Sequence, residues 1–168
     1  MAFKIDDRVV HPTYGVGRVV ALVSKRFAAA EQPYYEVAID RSTVWVPVGD
    51  SGNGNGNGLR LLTSKSELAR YRGILQSSPK ALTPDPRQRR LDLLERMRIG
   101  TFQAMCEAVR DITARGWLKP LSEGDTAMLR KAREGLCQEW AAASDVTVVQ
   151  ATAEVNALLL EARQTHQT

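Results

Sequence analysis

A chain of 168 residues with 43% hydrophobic and 25% charged residues has the size and make-up of one ordinary globular domain or two small ones, not of a disordered or fibrous protein. Its unbroken apolar runs, such as Ala157-Leu158-Leu159-Leu160, are far too short to cross a bilayer, and the first residues hold no apolar stretch of signal-peptide length. A cytoplasmic protein with no membrane association is therefore expected. The net charge of +4 is uneven: residues 1–62 carry seven basic and six acidic side chains, residues 63–100 nine and four, and residues 101–168 seven and nine.

The first sixty residues read as short strands. "DRVVHP" and "GRVVALVS" are β-branched runs on either side of a Pro/Gly corner. In "PYYEVAID", Tyr35, Val37 and Ile39 fall on one face and Tyr34, Glu36 and Ala38 on the other. "TVWVPV" and "LRLL" complete five strands, separated by the "GDSGNGNGNG" run at 49–58, which suits a loop. Five strands without an intervening helix predict a small antiparallel barrel rather than a βαβ unit.

Past residue 63 the pattern turns helical. Ser64 and Glu67 form a capping box that opens a helix running to about Gln76, and "SSPKALTPDP" then reads as a Pro-rich connection. Asp85 is placed to cap the next helix with Pro86 at its first position, and Gly100 to end it. Thr101 caps a helix with a Phe102, Met105, Cys106, Val109, Ile112 stripe. Ser122 with Asp125 opens a long one carrying Leu129, Ala132, Leu136, Trp140 and Ala143. Thr147 with Gln150 caps a last one that buries Ala151, Val155, Leu158 and Ala162. The expected architecture is α+β, with a barrel over 1–63, a helix and linker over 64–83, and an all-α domain over 84–168.

The candidate sites are few. Gly15-Val16-Gly17 lacks the third glycine of a dinucleotide fingerprint and is followed by a strand, so tight turning and close strand approach explain it better. Cys106 and Cys137 have no metal-ligand spacing and read as buried free thiols; His11 and His166 lie at opposite ends of the chain, with no partner in a motif. No catalytic, metal or cofactor constellation emerges, so a binding role is expected instead of an enzyme. Two surfaces qualify. Strand alternation sends Trp45 to the face opposite Val44 and Val46, and Pro47 suits an edge strand; Trp45 is then either a partner anchor or part of the barrel core. Arg87, Arg89, Arg90, Arg96 and Arg98 crowd one short helix, as either a phosphate-binding start or a solvated face.

"FKIDDRVVHPTYGVGRVVAL", "YYEVAI", "TVWVPV" and "GLRLL" resemble the RNA polymerase-interacting domain of the CarD/CdnL family of bacterial transcription regulators, a small Tudor-like (SH3-like) barrel shared with the transcription-repair coupling factor. "LSEGDTAMLRKAREGLCQEWA" resembles that family's helical C-terminal domain. The resemblance implies a non-enzymatic factor whose barrel edge docks on the polymerase β subunit by strand addition. Its helical domain would reach promoter DNA at the upstream edge of the melted region, where a tryptophan wedges into the minor groove beside basic residues. Carried over position by position, Thr43, Val44, Trp45, Val46 and Pro47 fall on the polymerase-contacting strand and Lys25 near a second contact. Pro86, Arg87, Arg89 and Arg90 fall on the DNA-facing stretch, with Pro86 where the family has its wedge. Trp117, in "ARGWLKPLS", does not align with the wedge. The resemblance fits a monomer that modulates open-complex stability through mainly backbone DNA contacts. The other reading is a protein–protein adaptor whose barrel takes another partner and whose helices never touch DNA.

Overall fold

The computed structural model describes residues 3–27, 30–48 and 58–167, with residues 27 and 30 described by backbone alone. Most of the Asn-Gly run expected to form a loop, residues 49–57, lies outside them. The chain divides into two compact units, Met1–Leu62 and Thr63–Thr168.

The first unit is an antiparallel sheet of β1 (Arg8–His11), β2 (Gly15–Phe27), β3 (Ala30–Ile39), β4 (Ser42–Pro47) and β5 (Arg60–Leu61). The strand order is β4-β3-β2-β1-β5. Five strands form where five were expected, but they do not close: among the described residues no ladder joins β4 to β5, so the sheet is open and not a barrel. Closure needs a ladder between the first and last strands of that order, and β5 offers only two residues, both spent on β1.

Glycine decides the β1–β2 corner, as the sequence suggested. Gly15 has φ +88°. At Gly17 an added Cβ would stand 2.6 Å from the Ile39 side chain and 2.8 Å from the Ala38 carbonyl oxygen, so only a residue without a side chain lets the strands approach. The core of this unit is one face of the sheet: Val9, Val19, Tyr35, Val37, Ile39 and Val46 are buried there together. Tyr34 is also buried, on the opposite face, where its hydroxyl accepts from the Gln32 amide at 2.8 Å.

β2 carries a bulge. Val19 pairs with Val37, but Ala21 pairs with Glu36, so β2 holds one residue more than its partner at this point. Directly opposite residues share a face. The extra residue therefore reverses the alternation of β2: Val19 points into the core, whereas Ala21, Val23 and Lys25 take the side of Glu36 and Trp45.

The second unit holds α1 (Leu68–Gln76), α2 (Pro86–Ile99), α3 (Phe102–Leu118), α4 (Glu123–Ser144) and α5 (Val148–His166). The caps expected from the sequence are made. Asp85, Thr101, Ser122 and Thr147 accept from the backbone N–H three residues on, and Thr147 with Gln150 completes a reciprocal box. Ser64 and Glu67 also exchange bonds, but across a turn that precedes α1. Trp117, expected in a loop, lies in the last turn of α3.

α1 is not a linker element. Leu68, Tyr71 and Leu75 are buried in the same core as Phe102, Leu136, Trp140 and Val155, so the helical unit begins at Thr63 and has five helices where four were expected. The reason is amphipathicity: a nine-residue helix is marginal alone, and α1 buries its apolar stripe on α3 and α5. Trp140 is wholly buried, and its indole N–H donates to Glu154 at 3.3 Å. Cys106 and Cys137 are free and buried.

Candidate functional site

Trp45 is an exposed residue on the sheet's outer face, not a core residue. It stands 40% exposed on β4, the edge strand, while its neighbour Val46 is buried on the other face. Its position is held from two sides. The indole N–H donates to the Glu36 carboxylate at 3.2 Å, and the Lys25 ammonium sits 3.7 Å from the ring centroid. The ammonium lies well inside cation–π range and covers part of one ring face. Past the bulge Lys25 pairs with Gln32, which shares a face with Glu36 and Trp45, and this brings it within reach of the ring. Thr43, also expected to take part, is exposed on the same strand, and Val44 packs against the core. Glu36 was not anticipated as the indole's partner; its position opposite Trp45 follows from the β3–β4 register.

The basic helix sorts its arginines into three kinds. Arg87 and Arg90 are exposed in the first turns of α2 and make no hydrogen bond or ion pair among the described residues. Arg96 and Arg98 are paired, with Asp111 at 2.8 Å and Glu95 at 2.6 Å. Arg89 faces inward and is 3% exposed. It forms a forked pair with Asp125, Nε to Oδ1 at 3.1 Å and Nη2 to Oδ2 at 3.0 Å, and donates through Nη1 to the carbonyls of Thr83 and Pro84. The expectation that Arg89 meets phosphate is therefore corrected, because its donors are spent inside the unit.

Pro86 is exposed at the start of α2, next to Arg87. Asp85 already bonds the Gln88 amide at 3.0 Å, and Pro86 has no N–H to give. An anion approaching this helix start would meet the guanidinium groups of Arg87 and Arg90, with fewer free backbone amides than the sequence suggested. A groove of about 330 Å³ separates this start from that of α4, with Pro86, Arg87, Arg90, Gly124 and Met128 on its walls.

Buried carboxylates orient α2. Asp111 on α3 is wholly buried and accepts from Arg96, Arg110 and the Lys80 backbone N–H. Asp125 on α4 receives Arg89, with Arg115 standing 3.7 Å away. Nearer the surface, Asp92 accepts from Gln88 and Thr83, and those two bonds hold its carboxyl below the usual carboxylate range. Neither Asp111 nor Asp125 was expected to have this role; the capping position of Asp125 concealed it. Among the described residues no group of three or more His, Cys, Asp and Glu side chains is placed to hold a metal ion, and no helix is long and apolar enough to cross a membrane.

These features describe a two-unit protein, an open antiparallel sheet with an exposed edge-strand tryptophan and a five-helix unit with two exposed arginines at the start of α2. Residues 3–53 match the CarD-like/TRCF RID domain and residues 72–156 match the CarD C-terminal domain. The chain is also 28% identical over 139 residues to a Bacillus subtilis (strain 168) protein named "Putative transcription factor YdeB", covering 82% of this chain and 89% of that one. The chain belongs to the CarD family.

Proposed function

We propose that this protein is a non-enzymatic, cytoplasmic transcription regulator that acts as a monomer. Its N-terminal unit docks on the β subunit of RNA polymerase, and its helical unit touches promoter DNA at the upstream edge of the melted region. The observation that carries the reading is Trp45, half-exposed on an edge strand and preset by Glu36 and Lys25. A large ring already fixed in one orientation loses little freedom on binding and is the kind of residue that dominates an interface. β4 offers main-chain groups for strand addition, with Thr43, Trp45 and Pro47 on the exposed side. The finer Tudor-like identity of the N-terminal unit belongs to this same reading.

On the helical unit, Arg87 and Arg90 hold phosphates, and Pro86 is the apolar residue set beside them. Proline serves as a wedge in architectural proteins, but it presents less surface to a base step than tryptophan. The hold on the melted junction is accordingly weaker than a tryptophan wedge would give, by about 1–3 kcal/mol if one stacking contact is lost. The deciding experiment is a pull-down of purified polymerase β-subunit fragment with wild type and Trp45→Ala. Capture by wild type that disappears with the substitution is expected. No capture by wild type overturns the docking assignment.

A further inference from the structure

Arg115 differs from the two buried arginines of the helical unit. Arg89 and Arg110 are 3% and 7% exposed in their side chains and spend their donors on carboxylates, carbonyls and a hydroxyl. Arg115 is 18% exposed, its single ion pair is a distant 3.7 Å approach to Asp125, and its guanidinium makes no hydrogen bond among the described residues. A guanidinium presents five donors, and those of Arg115 stay open to solvent and to the acceptors of a ligand. Its unspent donors border a groove of about 260 Å³ at one end of the unit, between segment 79–82 and the last turns of α3 and α5.

The walls of that groove suit an amphipathic anion. Trp117, Leu118, Leu82 and Pro79 form an apolar side. Lys80 adds a second cation, with no side-chain partner among the described residues. Asp111 also borders the groove, but its side chain is wholly buried and both oxygens are occupied by Arg96, Arg110 and the Lys80 amide, so it does not oppose an incoming anion. His166 on the rim is 2.9 Å from the Gln76 carbonyl through Nε2. We propose that this groove is a binding site for a small molecule that joins one carboxylate to a flat apolar body. The carboxylate takes the Arg115 fork with Lys80 beside it, and the body lies along Trp117 and Leu118. The volume is just under the roughly 300 Å³ at which ligand pockets begin, which limits the occupant to a small one.

The test uses the full chain and the indole N–H resonance of Trp117, with those of Trp45 and Trp140 as internal controls. Titration with benzoate and indole-3-acetate should move the Trp117 signal saturably while the Trp45 signal stays in place. Benzyl alcohol, which lacks the charge, and acetate, which lacks the ring, should each bind at least about tenfold more weakly. Arg115→Gln should weaken the carboxylates by a similar factor. Leu118→Glu changes a residue that is 79% exposed, so it leaves the fold intact and should abolish binding by repulsion. The proposal is overturned by a Trp117 signal that does not respond, by equal responses to benzoate and benzyl alcohol, or by a signal that only a peptide C-terminus moves.

Discussion

Replacing Arg89 with alanine separates two roles for this arginine, because inside the fold and on the DNA surface it would fail in different assays. The substitution removes a forked pair with Asp125 and two bonds to the carbonyls of Thr83 and Pro84, and it leaves the Asp125 carboxylate buried. Breaking a buried pair by removing one partner costs about 3–5 kcal/mol. Arg115, 3.7 Å from the same carboxylate, remains to compensate part of the loss, which favours the low end, about 3 kcal/mol. For a unit of this size that corresponds to a melting temperature lowered by roughly 12 °C. Arg90→Ala, one residue along and exposed, should change stability by no more than about 0.5 kcal/mol. The assays are thermal unfolding followed by far-UV circular dichroism and duplex-DNA binding at several salt concentrations, on both variants. Arg89→Ala that melts like wild type but binds DNA poorly would refute the buried-anchor argument and return Arg89 to the DNA surface. Asp125→Asn should be milder than Arg89→Ala, because a neutral amide still accepts from the arginine.

Arg87→Ala and Arg90→Ala should each weaken duplex binding uniformly across sequences and reduce the slope of log affinity against log salt by about 1; unchanged slopes would remove both residues from the phosphate contacts. Pro86→Trp, at an exposed position, should lengthen open-complex lifetime in a promoter-dissociation assay, and an unchanged lifetime would show that this position does not touch the junction. His11 gives a pH signature. Its Nδ1 accepts the N–H groups of Thr13 and Tyr14 at 3.0 and 3.2 Å, and burial pushes its pKa below the ordinary 6.5. The folded state thus favours the neutral ring, so this contribution is complete above about pH 6.5 and is lost as the pH falls through the lower folded value. Amide exchange at Thr13 and Tyr14 should quicken, relative to neighbouring amides, over that acid window, and His11→Ala should abolish the effect.

The elements were legible because their signals are local. Asp85 with Pro86, Thr101, Ser122 and Thr147 each announce a helix start within four residues, and the structure places a cap at every one. The stripe of α3 was equally plain, since Phe102, Cys106, Val109 and Ile112 recur at helical spacing and all are buried. What failed to show depends on which elements meet in space. Whether a five-strand sheet closes is decided by its two edge strands, β4 and β5, which follow one another in the chain but pair with β3 and β1 and not with each other. A buried Arg89 reads the same as an exposed Arg90 until Asp125, thirty-six positions away, is brought beneath it. The composition of α1 gave no hint of its allegiance either, because its stripe could have covered either unit. At the sheet surface alternation put Trp45 on the face opposite Val46 but left open whether that face was core or surface, and the approach of Lys25 had no local signal at all.

That approach is set by where β2 pairs after its bulge. β2 is a single strand written in two reading frames: Val19 faces the interior, whereas Ala21, Val23 and Lys25, two, four and six positions on, face the outer surface. The two frames are free to change separately, so substitutions before the slip answer to packing and those after it answer to whatever meets Trp45. Deleting Val20, which is 41% exposed, would make Val19 and Ala21 consecutive opposite Val37 and Glu36, removing the bulge while Lys25 stays opposite Gln32 on the outer surface. A sequence comparison that carries the alternation of Val19 unbroken through β2 would keep every strand and still place Lys25 on the wrong face.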